Sequence, residues 1–370
     1  MNPLSNRYLS LDVFRGLDVT LMIMVNSLGS PNTYSSLLHA NWHGFTLTDL
    51  VFPTFLFVVG SSMSFSMAKY AVMGHGAVLK KIFTRAAIIF LLGYLSYWFP
   101  FVRVDAAGEW FIKPMDETRI FGVLQRIALC YMLAALIIHY VGIRGALYFS
   151  VVALIGYWMI LNLFGDLTLA GNAARKLDIW LIGEKHMHRG DGMAFDPEGL
   201  LGTLPATVNV IMGYAAALYL RRGGKTNETL RNLLLVGVSL VVVAVLWNAA
   251  FPINKKLWTS SFVLFTVGID LAILAALVFV VDIAGQTRWT YFFETFGRNT
   301  LFIYLFSEIF VVLLRTFSAG DVSLHSWIFQ NLFISWASEH NGAVLFAVWV
   351  MLSCWMVGYL MDRKKIYIKV

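Results

Sequence analysis

The residues best suited to chemistry lie in MIMVNSLGS and the following LLHANWHGFTLTDLVFPTFLFVVG, which carry Asn26, His39, His43 and Asp49. Imidazole titrates near neutrality and can take and return a proton, and a carboxylate beside it can hold one tautomer. That chemistry suits His39, with Asp49 as the orienting partner. His39 and His43, four residues apart, could instead ligate a metal on one helix face, but neither a third ligand nor an HExxH glutamate accompanies them. For His43 a structural role at the membrane interface is a further reading. Pro53 follows Asp49 by four residues and leaves the Asp49 carbonyl without a helical donor, so a kink beside the acid is expected.

The elements that must hold these residues follow from composition. The chain has 370 residues, 59% hydrophobic and only 13% charged, with a mean hydropathy of +0.71. Soluble domains average about 45–50% apolar and about 25% charged residues. Disorder, collagen and a disulfide scaffold are excluded, and a polytopic membrane protein is expected. Cys130 and Cys354 each lie in an apolar run, as small buried hydrophobes do. The net charge of +7 comes with no aromatic-interleaved basic patch, so nucleic acid is not an expected partner. The start, MNPLSNRYLSLDVFRG, is too polar for a cleaved signal.

A span needs about 20 mostly apolar residues. Ten are expected, at 11–28, 48–67, 82–99, 120–141, 146–164, 199–220, 231–251, 258–281, 298–317 and 342–360. Lipid offers the backbone no hydrogen bonds and the runs lack barrel alternation, so the fold class is all-α, a single membrane helix bundle over 1–370. The stretches 289–297 and 324–338 read as interfacial or re-entrant helices. Basic clusters such as Lys80, Lys81 and Arg85, or Arg221, Arg222 and Lys225, sit in short connections and mark the inner side. Both termini then lie inside, in the cytoplasm, and His39 faces out. Asp12 and Arg15, three apart, can pair on one face of the first span. Asp18, Arg126, Asp270 and Glu308 lie deeper, where a charge must be paired or face water, and together they suggest a hydrated cavity or tunnel.

Across the whole chain, in order, LDVFRG, the VN closing the first span, HAxWxGxTxxDLVxP, GVLQR, FDPEGLLGT, PINKKLW and GRNTLFIY resemble the heparan-α-glucosaminide N-acetyltransferase family, which includes bacterial NagX-like proteins. The resemblance implies an acetyl-CoA-dependent N-acetyltransferase that acetylates the amine of glucosamine or a terminal glucosaminide across the membrane. The family's active histidine falls on His39 and its neighbouring active-site asparagine on Asn26. His43 stands where the lysosomal enzyme usually carries Asn, which argues against a catalytic role for it. Relative to that enzyme the chain is expected to lack the luminal domain and the span before it, which points to a bacterial inner membrane.

In this reading His39 is the base or is transiently acetylated, Asn26 donates to the oxyanion, and Asp49 orients the imidazole. Direct transfer and an acetyl-histidine intermediate both stay open. Lys81, Arg85, Arg298 and Asn299 are the candidates for the CoA phosphates at the inner mouth, with positive-inside signalling as the other reading of Lys81 and Arg298. Arg126, with Gln125, would line the pantetheine arm or neutralise Asp49. Asp196, Glu198, Lys255, Trp258 and Ser261 are candidates for holding the sugar. No metal is expected; the partners are acetyl-CoA, an amino-sugar acceptor and the lipid bilayer, and a homodimer is left open. The competing functions are an amino-sugar transporter and a cell-envelope polysaccharide O-acyltransferase. Transporters often show inverted repeats and matching broken helices, and neither is apparent here.

Overall fold

The computed structural model describes residues 8–70, 73–104 and 109–368. The two chain ends, assigned above to the inner face, lie outside these residues. The described chain is helical apart from two small hairpins, Val102–Val104 with Trp110–Ile112 and Ser318–Ala319 with Val322–Ser323. In order the helices are α1 (Leu9–Asn26), α2 (Leu47–Tyr70), α3 (His75–Trp98), α4 (Val123–Phe164), α5 (Ala173–Ile182), α6 (Thr203–Gly223) and α7 (Asn227–Trp247). There follow α8 (Ser260–Leu277), α9 (Thr290–Arg298), α10 (Thr300–Thr316), α11 (Leu324–Ile328) and α12 (Glu339–Arg363). Helices α8 and α11 each run on into a wider π-helical turn, Val278–Ile283 and Phe329–Ile334.

Six of these helices are long and apolar enough to cross a membrane among the described residues, or seven if α9 and α10, which meet at 85°, form one broken span. The ten expected spans are therefore not reproduced by length and apolarity alone. Helix α1 carries Asp12, Arg15 and Asp18, α3 opens on Lys80, Lys81 and Arg85, and α4 enters the count once. Yet α4 cannot be one straight rod. Arg126 near its start lies 5.0 Å over the Trp258 ring, while the Tyr157 hydroxyl donates to the Leu257 carbonyl. A straight helix would separate residues 126 and 157 by about 46 Å. The chain folds back at Gly142, where φ of 65° and ψ of −178° place it in a region that L side chains avoid. The two arms coincide with the two spans read from sequence.

Helices α2 and α6 cross with their backbones in contact. A Cβ on Gly60 would lie 1.9 Å from the Val210 carbonyl oxygen, and one on Gly213 would lie 1.8 Å from that of Phe57. Small residues let the backbones touch, which matters in lipid because no hydrophobic drive pulls apolar helices together. Helix α7 and the second arm of α4 leave large apolar side chains uncovered, Leu246 and Val152 among them. Such surfaces suit lipid rather than water. One set of polar groups converges at the end of the bundle where α1 finishes and α2 begins.

Candidate active site

The sequence TLTD builds the site's anchor. Thr46 immediately precedes α2 and Asp49 is its third residue, so the carboxylate can reach back to the free N–H of Thr46, half of a capping box. Asp49 Oδ2 accepts from the Thr46 N–H at 3.0 Å, the Thr46 hydroxyl at 3.0 Å and the Ala40 N–H at 3.1 Å. The loop between α1 and α2 thus wraps one carboxylate oxygen, which is fully buried. The other oxygen, Oδ1, lies 2.8 Å from His39 Nδ1. A carboxylate there calls for Nδ1–H and leaves the Nε2 lone pair outward. The His39 side chain is 44% exposed, so the ring is held by its base and open at its tip. Residues 38–46 are not helical, so His39 and His43 do not share a helix face. His43 Nδ1 instead pairs with Asn254 Nδ2 at 3.3 Å.

His39 opens on a cavity of about 420 Å3 whose walls include Asn26, Thr48, Arg119, His188, Glu198, Lys255 and Lys256. Lys255 Nζ is 3.0 Å from both nitrogens of the His39 ring. A position equidistant from the two lies over the ring, not along either lone pair. Burial pushes the Lys255 amine below the usual lysine range, with Lys256 and Arg126 acting in the same direction against Asp49 and Glu198. Arg119 joins Asp196, at 2.6 and 3.1 Å, to Glu198, at 2.5 Å. Burial alone would raise Glu198, but Arg119, Arg126 and Lys255 outweigh it and hold the carboxyl below its ordinary range. Lys256 pairs with Asp191 at 2.5 Å. Asn26 Nδ2 donates to Glu308 at 3.4 Å.

The structure therefore brings Asn26, His39, Glu198 and Lys255 around one space, with Asp49 directly behind. The remaining residues expected at the sugar site pack beside this space. Asp196 sits behind Glu198 on the same guanidinium. Trp258 is buried, its indole N–H donating to Asn209 Oδ1 at 3.2 Å, and Ser261 donates to the Phe251 carbonyl at 2.6 Å. Arg126 is at this end too, donating to the Gly199 carbonyl at 2.8 Å. Composition and spacing did not single out Arg119 or His188. Arg119 lies just ahead of GVLQR and His188 in the HMHRGDG loop, and no local pattern links either to residue 39.

Lys81, Arg85 and Arg298 lie at the opposite end, where α1 starts and α2 finishes. Arg85 lines both a 350 Å3 cavity, shared with Arg15, Ser62 and Arg298, and a 500 Å3 cavity, shared with Lys80 and Lys81. Arg85 lies 4.8 Å over the Tyr131 ring and Lys81 5.3 Å over that of Tyr70. Arg298 is committed to Asp362 at 2.6 Å and Glu294 at 2.9 Å. Asn299 is buried and fastens residues 366–368, donating to the Ile366 carbonyl and accepting from the Ile368 N–H. A further cavity of 230 Å3 is lined by Gln125, Tyr304 and Glu308. It shares Leu124 with the 350 Å3 space and Val123 with the His39 cavity, so neighbouring residues of α4 form common walls along the bundle.

Comparison with known proteins bears on what such an arrangement does. Residues 7–178 match the family model described as "Heparan-alpha-glucosaminide N-acetyltransferase, catalytic". The chain is 27% identical over 439 aligned residues to the heparan-alpha-glucosaminide N-acetyltransferase of Homo sapiens, covering 100% of this chain and 61% of that protein. It is 27% identical to the Mus musculus protein of that name, covering 99% of this chain and 61% of the relative. The chain thus spans about three fifths of the length of the curated relatives it matches.

Proposed function

From the family-model match over residues 7–178 and the full-length similarity to heparan-alpha-glucosaminide N-acetyltransferases, we propose that the chain belongs to that family and moves the acetyl group of acetyl-CoA to the amine of glucosamine or a terminal glucosaminide. The observation that carries this reading is the Asp49–His39 pair, buried at its base and with the His39 ring on the wall of a cavity large enough for a sugar. Amide formation needs a group to take the proton of the acceptor ammonium and donors for the oxyanion of the tetrahedral intermediate. His39 Nε2 takes the proton, Asp49 holds the tautomer and balances the imidazolium, and the carboxamide of Asn26 donates to the oxyanion. Glu198 and Lys255 line the space in which the sugar sits.

The donor is polyanionic, and the end carrying Lys81 and Arg85 supplies cations for it. Arg298 contributes less in this reading because two carboxylates already hold it. In this reading the pantetheine arm passes between the helices toward His39, along the cavities that share Leu124 and Val123 as wall residues. We place the Arg85 end in the cytoplasm of a bacterial cell and His39 on the outer side of its inner membrane. The bundle then has ten crossings, with α1, α3 and both arms of α4 counted individually. An amino-sugar transporter could use a similar cavity, but the matching relatives bear an acetyltransferase's name.

The test is mass analysis of products after the purified chain meets acetyl-CoA and glucosamine, with His39→Ala beside the parent. The expected result is an alkali-stable N-acetyl sugar from the parent and a rate lower by roughly 10²–10⁴-fold from the variant. Equal rates from both proteins would remove His39 from the mechanism. An alkali-labile ester product would favour the O-acyltransferase.

A further inference from the structure

Lys255 holds an amine over the His39 ring, beside the place that an acceptor's amine has to reach. For His39 to take a proton from an incoming ammonium, that nitrogen must come within hydrogen-bond reach of Nε2. The Nζ of Lys255 already lies 3.0 Å from Nε2, on the cavity wall that also carries Asn26. Other cations of this wall are spoken for: Arg119 is held by Asp196 and Glu198, and Lys256 by Asp191. Among the described residues no carboxylate lies within salt-bridge distance of Lys255, whose polar contacts are with the His39 ring.

We propose that Lys255 is itself an acetyl acceptor, converted to a stable amide when the donor is bound and no sugar fills the cavity. The inference rests on the acetyl-transfer reading above and adds a modification site to it. The step balances without a further reactant. The Nζ lone pair forms a bond to the acetyl carbonyl carbon, and the carbon–sulfur bond of the thioester breaks with its electron pair on sulfur. The proton lost from Nζ passes through His39 to the thiolate. Only a neutral amine can attack, and burial of Lys255 favours that form. The modified side chain would lose its charge and fill the place of the sugar amine. Exposure to donor alone would therefore silence the protein, and bound sugar would protect it.

The experiment is peptide mass spectrometry of the full chain after incubation with isotopically labelled acetyl-CoA, with and without glucosamine. The expected result is label on Lys255 ahead of every other lysine, slowed by glucosamine. Lys255→Arg keeps a cation but should give none of this label. His39→Ala should label more slowly by roughly 10²-fold or more. A second arm uses trace acetic anhydride at neutral pH, which ranks lysines by nucleophilicity with no need of the protein's own activity. Lys255 should be acetylated before the exposed Lys80 and Lys185. Absence of label on Lys255 after exposure to acetyl-CoA overturns the inference, whether or not sugar turns over. If sugar also fails to turn over while the anhydride still selects Lys255, the acetyltransferase reading is at fault, not the reactivity of this lysine.

Discussion

At the scale of single residues, Asp49 has two tasks that one carboxylate performs together. Its Oδ2 closes the start of α2 through the N–H groups of Thr46 and Ala40, and its Oδ1 sets the His39 tautomer. Asp49→Asn separates these tasks. An amide still offers one oxygen to the loop, so the fold should survive with a loss of about 1 kcal/mol, the usual size of a capping change. Toward His39 it either presents an N–H, which reverses the imidazole's donor pattern, or leaves the imidazolium unbalanced. The acetylation rate should drop by about 10²–10⁴-fold while acetyl-CoA affinity stays within a factor of a few. Rate and donor binding measured on one preparation check this, and an unimpaired rate would reduce Asp49 to a capping residue.

At the scale of elements, α5 and the loop it supports are tuned by one buried acid. Asp178 accepts from the Leu200 N–H at 3.0 Å through Oδ1, while its Oδ2 is buried with no hydrogen-bond partner. Burial pushes this carboxyl up to about 7, with Asp196 adding to the effect, whereas the Leu200 N–H and Arg126 oppose it. The sign follows from proton binding. The folded chain holds a proton that the unfolded chain releases near pH 4, so this stabilisation is complete below about pH 4 and is lost as pH rises through about 7. Asp178→Asn keeps the acceptor for Leu200 and cannot ionise. Thermal unfolding of the parent should therefore shift downward between pH 5 and pH 8 relative to the variant, by an amount on the order of 3 kcal/mol in stability. Parallel curves for the two proteins would show that Asp178 does not titrate in this window. The same carboxyl backs onto Gly199, three residues from Asp196 and one from Glu198, so its state reaches the cavity wall.

At the scale of the whole molecule, the helices hold two polar ends apart, with cavities that share wall residues of α4. If the far end receives the donor, Arg85→Ala should weaken acetyl-CoA binding by about 1.5–3 kcal/mol, the usual worth of a charged hydrogen bond. The dissociation constant for glucosamine should stay unchanged, because the His39 cavity does not include residue 85. Calorimetry with each ligand decides this, and unaltered donor affinity would leave Arg85 as a topology signal. Sidedness has its own test. Cysteines placed at 185 and 225 should label from opposite faces of intact cells, residue 185 from outside. Labelling of both from one face would overturn the assigned orientation.

The sequence by itself determined the membrane class, the helical fold and the local part of the site. Asn26, His39 and Asp49 lie close in sequence between the end of one helix and the start of the next, and TxxD writes a cap whose physics is local. Hydropathy likewise registers each apolar run, even the two arms of α4 on either side of Gly142. Contacts between distant segments were decided by the tertiary structure. Lys255 comes over the His39 ring from 216 positions away, and Arg119 gathers Asp196 and Glu198 from 77 and 79 positions away. Arg298 and Asn299 read as free polar groups at a helix end until Asp362 and residues 366–368 are packed against them. Spacing along a chain reports which side chains share a turn or a helix face. Which charge meets which across the bundle depends on how helices pack, and at α2 and α6 that packing turns on two glycines whose missing side chains let the backbones touch.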